Sequence, residues 1–171
     1  KVTGVISVAS VGGIRADLCP GSLVVPNQII DYTWGRKSTF HENSEEAVVH
    51  IDFTEPYDLA LRQRILAAAA AAGEKVADGA VYGATQGPRL ETAAEINRLE
   101  RDGCDVVGMT GMPEAALARE LGIPYAAINV IANFAAGRAG SASGICFDSI
   151  DTVLREAMGR VRHVLDHICE A

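Results

Sequence analysis

Strand and helix patterns alternate in the segment from residue 87 to residue 133. This alternation limits the possible folds more strongly than any other feature of the sequence. Residues 105–108 and 125–132 are short apolar runs, which are typical of buried strands. Residues 91–101 carry apolar side chains at helical spacing, and Pro113 stands where it can open a second helix. The sequence therefore predicts an α/β fold with a mixed, mostly parallel central sheet flanked by helices.

Further elements are predicted from apolar periodicity and from turn residues. In chain order we expect a strand at 2–8 followed by a turn at 9–13, two strand pieces or one edge strand at 22–32, a polar excursion at 32–46, a short strand at 47–53, a helix at 58–72, one strand at 76–85 and a helix at 149–170. Since no linker or repeat divides residues 1–171, we expect a single domain. The chain opens without Met on a pattern typical of a core strand, so we expect it to be the C-terminal portion of a larger domain whose N-terminal part is missing here.

Composition and charge exclude several functional classes. The 171 residues are 49% hydrophobic with a net charge of −7, and the Lys and Arg residues are scattered, which does not favour binding to nucleic acid. No apolar run approaches the roughly 20 residues of a membrane-spanning helix, and no signal peptide is recognisable. The four cysteines lie far apart without CxxC or zinc-ligand spacing, so we expect no metal site and free thiols in a reducing cytoplasm.

Polar residues stand near the ends of the predicted strands, where open α/β sheets bind ligands. Asn133 follows the strand at 125–132, and its amide can both donate to and accept from a purine ring. Glu91 stands near a helix start and could accept the N1–H of a 6-oxopurine, a proton that adenine lacks. Alternatively, Asn133 is a turn residue and Glu91 a first-turn acid favoured by the helix dipole.

A second group of residues suits an anion and a sugar. Thr110 could donate its hydroxyl to a phosphate oxygen, and Met109 could pack against a sugar. Ser10 with Gly12 and Gly13 could offer backbone N–H groups to an anion. A helix cap for Thr110 and a core position for Met109 remain open at this point. Because GxSxG, GxGxxG and P-loop patterns are lacking, serine-hydrolase, dinucleotide and NTP chemistry have no support in the sequence.

Several longer motifs carry a resemblance to one enzyme family. They are VASVGGI, PGSLVVPNQIIDYTWGR, HIDFTEPYD, GPRLETAAE and DVVGMTGMPEAALARELGIPYAAI. With these motifs the chain resembles the trimeric purine nucleoside phosphorylase and methylthioadenosine phosphorylase family, and its body is similar to the methylthioadenosine branch. That branch carries Asp where this chain has Asn133 and Ala135, whereas Glu91 with Asn133 matches the pair that reads 6-oxopurines.

The resemblance implies roles for individual residues. It implies that Ser10 and Thr110 bind phosphate, that Met109 lines the ribose, and that Leu90 contacts the base in place of a stacking Phe. It further implies a homotrimer in which His50 reaches a neighbouring subunit's site near the 5′ substituent.

The function expected from this resemblance is phosphorolysis of a 6-oxopurine nucleoside, with S-methyl-5′-thioinosine as the expected substrate. Inorganic phosphate would be a co-substrate, and no metal or organic cofactor is expected. Alternatives are an inosine/guanosine phosphorylase, a methylthioadenosine phosphorylase and a non-catalytic nucleoside-binding subunit. A nucleosidase that uses water is disfavoured because Ser10 and Thr110 suit an anion.

Overall fold

The computed structural model describes residues 2–42 and 48–170, and a curled sheet lies at the centre of the fold. Its elements, in chain order, are β1 (Val5–Gly13), β2 (Leu23–Val25), β3 (Gln28–Asp31), α1 (Leu59–Ala71), β4 (Val76–Asp78), β5 (Val81–Ala84), α2 (Ala93–Arg101), β6 (Val106–Gly108), α3 (Glu114–Glu120), β7 (Tyr125–Phe134), a 3₁₀ turn (Ala139–Ser141) and α4 (Phe147–Glu170).

The strands run in the order β3-β5-β6-β1-β7-β2-β4. The pairs β1/β7, β2/β4, β3/β5 and β5/β6 are parallel, whereas β1/β6 and β2/β7 are antiparallel. The mixed, mostly parallel sheet predicted from the sequence is therefore confirmed.

Two sharp bends let this sheet curl. The run at 22–32 forms two strands separated at Pro26, as one of the two predicted alternatives has it. The prediction of one strand at 76–85 is wrong, because Gly79 has a φ of 90° and divides it into β4 and β5. The bends lie side by side: Gly79 N–H donates to the Val25 carbonyl at 3.0 Å, and Asn27 N–H donates to the Ala80 carbonyl at 3.0 Å. The two bends thus connect β2 and β4 at one end of the strand order to β3 and β5 at the other end.

Arg62 of α1 stabilises the corner formed by these bends. Its side chain is buried, donates to the carbonyls of Pro26 at 2.8 Å and Val25 at 3.3 Å, and forms a 2.6 Å ion pair with Asp78. The helix is held in place at its start, where Asp58 accepts from the backbone N–H of Leu61 at 2.7 Å. A buried guanidinium with several partners is well satisfied, so the corner is a fixed part of the fold.

The hydrophobic core has three parts. The first lies inside the curl, where Val11, Tyr82 and Ile131 belong to one buried cluster. The second lies outside the sheet, where α1 and α4 cover β2 and β7. In the third, Ile96 and Leu99 of α2 contact Val107 of β6. Both faces of the central strands are therefore covered, as the apolar runs in the sequence predict.

Several predicted boundaries need correction. The turn expected at 9–13 is part of β1, because these residues continue in register with β7. Helix α2 begins at Ala93 rather than at Glu91, because Thr92 and Glu95 form a capping box. Residues 48–53 contain no strand, and residues 43–47 lie outside the described part of the chain. The part of the chain that the structure describes contains no helix long and apolar enough to cross a membrane.

Candidate active site

Six of the seven predicted site residues line one cavity of about 470 Å³. The cavity lies where β1, β6 and β7 meet the loop before α2 and the start of α4. The six residues are Ser10, Leu90, Glu91, Met109, Thr110 and Asn133. Their roles stay predictions, but the fold brings together residues that are up to 123 positions apart in sequence.

The wall formed by α4 and the chain before it is apolar. Ile145, Phe147 and Ile150 line the cavity there, together with Val8 of β1. Phe147 is 66% exposed, so it lies at the rim rather than in the core. This side of the cavity suits an apolar substituent, because these four side chains offer no hydrogen bond to a hydroxyl group.

A β-bulge turns Asn133 towards the cavity. Val11 pairs with Ile131, whereas the next residue, Gly12, pairs with Asn133, so Ala132 is an extra residue in β7. Side chains alternate between the faces of a strand, and Ile131 packs in the core inside the curl. Regular pairing would place Asn133 on that inner face as well. The bulge moves it to the opposite face, which is a known use of such irregularities near functional sites.

The amide of Asn133 is fixed by a short local hydrogen bond. Its Nδ2 donates to the backbone carbonyl of Phe134 at 2.7 Å. An amide nitrogen carries two hydrogens and the amide oxygen accepts two bonds. One hydrogen and Oδ1 of Asn133 are therefore available to a ligand in the cavity.

Glu91 is held from the strand beside it. The hydroxyl of Thr85, directly after β5, donates to Oε1 of Glu91 at 2.7 Å. Glu91 is half-buried and precedes the Thr92 cap, so it is not a first-turn acid of the helix. Its second oxygen, Oε2, remains an acceptor for a donor on the ligand.

The backbone N–H of Ser10 points away from β7. Val5 N–H donates to the Pro124 carbonyl of the neighbouring chain segment at 2.8 Å, and N–H directions alternate along a strand. Residues 5, 7 and 9 therefore face β7, whereas residues 6, 8 and 10 face the other side. On that side β6 pairs with β1 only at Gly12 and Gly13. The N–H of Ser10 is thus open to an anion in the cavity, as is Thr110, which is exposed.

Arg36 joins the two loops that carry the predicted ligand-binding residues. Its guanidinium donates to the carbonyls of Thr85 at 3.3 Å and Gln86 at 3.1 Å in the β5–α2 loop. It also donates to the carbonyls of Met109 at 3.0 Å and of Met112 in the β6–α3 loop. The planar guanidinium offers five N–H donors in a fixed geometry, which suits this arrangement.

A close contact also couples these loops. A Cβ added to Gly87 would lie against Sδ of Met109, so a larger residue here would force the methionine side chain to move. Gly87 has a φ of 66°, which also favours glycine. The Gly87 backbone therefore packs directly against the Met109 side chain, and this contact joins the β5–α2 loop to the β6–α3 loop.

A neighbouring cavity of similar volume shares Glu91. It is lined by Tyr32, Trp34, Arg89 and Arg98 among others, and it lies on the other side of the β5–α2 loop. None of the other predicted site residues lines it. The cavity that holds the six predicted residues is therefore the better candidate site.

His50, the seventh predicted residue, does not line the cavity. It is exposed and lies between β3 and α1, outside any helix or strand. An exposed position is compatible with the role predicted for His50 in a neighbouring subunit's site, and that role stays a prediction.

Sequence reasoning missed three residues that support the site. Thr85 holds Glu91, Arg36 holds the two loops, and Tyr82 contacts Thr110. Arg36 stands in the motif that ends TWGR, but its partners lie 49 to 76 residues away. Nothing local in the sequence marks such contacts, because they depend on the tertiary fold.

The chain matches a known protein family over almost its whole length. The family model described as the phosphorylase superfamily matches residues 1–170. This chain belongs to that superfamily. The family resemblance predicted from the motifs is therefore confirmed.

Curated relatives of this phosphorylase-superfamily chain carry two kinds of name. A protein from Pseudomonas syringae pv. tomato named "Probable S-methyl-5′-thioinosine phosphorylase" is 51% identical over 167 residues, which are 98% of this chain and 67% of the relative. A protein from Moorella thermoacetica named "Probable 6-oxopurine nucleoside phosphorylase" is 44% identical over 137 residues, which are 80% of this chain and 53% of the relative. The chain thus spans about two thirds or less of these relatives.

Solved structures show the same fold. Methylthioadenosine phosphorylase from Schistosoma mansoni in complex with adenine is 29% identical, with a TM-score of 0.89. The match covers 97% of this chain and 64% of that chain. The fold predicted from the sequence thus agrees with that of a nucleoside phosphorylase.

Proposed function

We propose that the protein cleaves a 6-oxopurine nucleoside with inorganic phosphate. A phosphate oxygen forms a bond to C1′ of the sugar while the bond from C1′ to N9 of the purine breaks. The electron pair of that bond leaves with the purine, which takes up the proton that the phosphate loses and is released as hypoxanthine, and the sugar is released as its 1-phosphate. Such pentosyl transfer is consistent with the names of the curated relatives.

The observation that carries this proposal is that Glu91 and Asn133 line the same cavity as Ser10 and Thr110. Asn133 would donate its remaining Nδ2 hydrogen to O6 and accept from N7–H with Oδ1 as the purine leaves, which stabilises the transition state more than the ground state. Glu91 would accept N1–H and fix the orientation of the ring. Ser10 N–H and the Thr110 hydroxyl would bind the phosphate, so these residues require neither a metal nor an organic cofactor.

The substrate we propose is S-methyl-5′-thioinosine rather than inosine. The α4 side of the cavity is apolar, so it would accept a methylthio group, whereas a 5′-hydroxyl would lose hydrogen bonds to water there. Methylthioadenosine is disfavoured because adenine has no N1–H for the carboxylate of Glu91. The proposed location remains the reducing cytoplasm, in keeping with four cysteines that are all free.

Hypoxanthine release by the full-length protein tests this proposal. We expect the release to depend on phosphate. We also expect kcat/KM for methylthioinosine to be about 10-fold or more above that for inosine, because burying one or two more apolar groups of the substrate contributes roughly this factor. A higher kcat/KM for inosine would identify an inosine/guanosine phosphorylase instead. Release without phosphate would indicate a nucleosidase, and hypoxanthine binding without any release would indicate a non-catalytic subunit.

A homotrimer is the proposed assembly, with His50 near the site of a neighbouring subunit. The segment between β3 and α1, which contains His50, exposes several large apolar side chains. These include Trp34 at 73%, Phe40 at 57%, Val48 at 78% and Val49 at 48%. Where such side chains form a patch, they commonly mark a protein interface.

Light scattering of the full-length protein should give the mass of three chains. Val48→Asp should shift the distribution towards smaller species, because it places a charge in the proposed interface. The control is Leu59→Asp, a similarly exposed apolar position on α1, which should leave the mass unchanged. A monomeric wild-type protein would contradict the proposed assembly.

A further inference from the structure

The hydroxyl group of Tyr82 lies against Thr110, beneath the anion side of the cavity. Tyr82 belongs to β5 and is 2% exposed. Its hydroxyl oxygen accepts from the backbone N–H of Thr110 at 3.1 Å and lies 3.1 Å from Oγ1 of the same residue. Gly108 makes room for this contact, because a Cβ there would lie 2.2 Å from the tyrosine oxygen.

These contacts determine which hydroxyl donates to which. The tyrosine oxygen already accepts from the N–H of Thr110, and its single hydrogen needs an acceptor because the group is buried. Among the described residues, Oγ1 of Thr110 is the acceptor that the hydrogen bonds provide. If the threonine donated instead, the buried tyrosine hydrogen would be left without a partner, at a cost of about 1–3 kcal/mol.

The hydrogen of Thr110 is therefore free to point elsewhere. Thr110 is exposed and lines the cavity, so its hydrogen can point to an acceptor there. A phosphate oxygen only accepts hydrogen bonds, so it requires a donor in this direction. If the Thr110 hydroxyl rotated freely, its oxygen lone pairs would face the anion part of the time, and the hydrogen bond to the anion would then be lost.

We propose that Tyr82 is a positioning residue that orients the Thr110 hydroxyl as a donor to the oxyanion in the cavity. The inference rests on the proposed function, since it assigns phosphate to the Thr110 side of the site. Burial also raises the pKa of Tyr82, so its hydroxyl remains protonated and able to donate throughout the neutral and mildly alkaline range.

Phosphate binding by the Tyr82→Phe variant tests this role. Calorimetry on the full-length protein should show a phosphate Kd that is about 10-fold higher, whereas the Kd of hypoxanthine stays the same. In turnover assays the KM for phosphate should rise without an equal rise in the KM for the nucleoside. The control is Tyr125→Phe, which removes the hydroxyl of another buried tyrosine, one that does not line the cavity.

Variants of Thr110 separate positioning from packing. In a Thr110→Val background, Tyr82→Phe should cause no further change in the phosphate Kd, because the hydroxyl that it orients is gone. In a Thr110→Ser background, which keeps the hydroxyl, the effect of Tyr82→Phe should persist.

Three results would overturn the inference. They are an unchanged phosphate Kd in Tyr82→Phe, an equal rise in the Kd of phosphate and of hypoxanthine, and a wild-type protein that does not bind phosphate. A wild-type protein whose phosphate binding depends on Tyr82 but which releases no hypoxanthine would refute the proposed function and leave the positioning role standing.

Discussion

Replacing Glu91 with alanine should lower kcat/KM for the 6-oxopurine nucleoside by about 100- to 1,000-fold. The substitution removes the acceptor for N1–H and leaves that donor without its partner in a half-buried part of the cavity, a loss typical of sites built around a hydrogen bond to the substrate. It also frees the Thr85 hydroxyl, which donates to Glu91 at 2.7 Å. Steady-state kinetics with methylthioinosine and with inosine measure this effect.

A graded series makes this prediction specific to hydrogen bonding. Glu91→Gln should cost only about 10-fold, because an amide oxygen still accepts N1–H although the charge is lost. The matched control is Glu95→Ala, which removes another carboxylate of the same region. Glu95 bonds Arg89 at 2.8 Å and caps α2 but does not line the cavity that holds Asn133. If Glu91→Ala and Glu95→Ala lowered kcat/KM equally, the proposal that Glu91 binds N1–H of the purine would be wrong.

Replacing Arg36 with alanine should lower kcat/KM for both substrates by about 100-fold. Four backbone carbonyls in two loops lose their common donor, so Glu91 and Thr110 no longer hold a fixed distance from each other. A misplacement of about 1 Å in a reacting geometry can cost on the order of 100-fold. Kinetics with varied nucleoside and varied phosphate, at temperatures below the measured Tm, would record this loss.

The conservative variant Arg36→Lys should restore little activity. A lysine ammonium is a single compact donor group and cannot span carbonyls on two loops as the planar guanidinium does. The control is Lys37→Ala, which removes an exposed neighbouring cation. Wild-type kcat/KM in Arg36→Lys would show that one positive charge suffices, and the positioning argument would then fail.

The elements whose signals are local could be predicted from the sequence. The helix expected at 58–72 is observed as α1, because Asp58 supplies an N-cap and Gly73 follows the last turn with a φ of 69°. The helix expected at 149–170 is observed as α4, since its apolar spacing is regular over most of its length. The buried strand expected at 125–132 is observed as part of β7.

The elements that depend on tertiary contacts could not be predicted in the same way. Whether Gly79 ends a strand or bends one depends on Asn27 and Val25, which lie more than fifty residues earlier. The run from 9 to 13 remains a strand because β7 and β6 pair with it, although its glycines are typical of a turn. Long-range pairing therefore overrides local preference at both places.

The candidate site shows the same division. Residue types at strand ends and the family motifs indicated Asn133, Glu91 and Thr110, and the fold brings these residues to one cavity. The bulge at Ala132, which turns Asn133 into that cavity, has no signature in the sequence. The single domain at residues 1–171 and the individual roles of the site residues stay predictions.

A crystal structure of the full-length protein with hypoxanthine and phosphate tests the central claim most directly. We predict that the purine lies in the cavity with Oε2 of Glu91 within hydrogen-bond distance of N1, and with the Asn133 amide contacting N7 and O6 of the same ring. The phosphate should then contact the Ser10 N–H and the Thr110 hydroxyl. A purine bound in the neighbouring cavity, or one that only one of the two side chains can reach, would contradict the account.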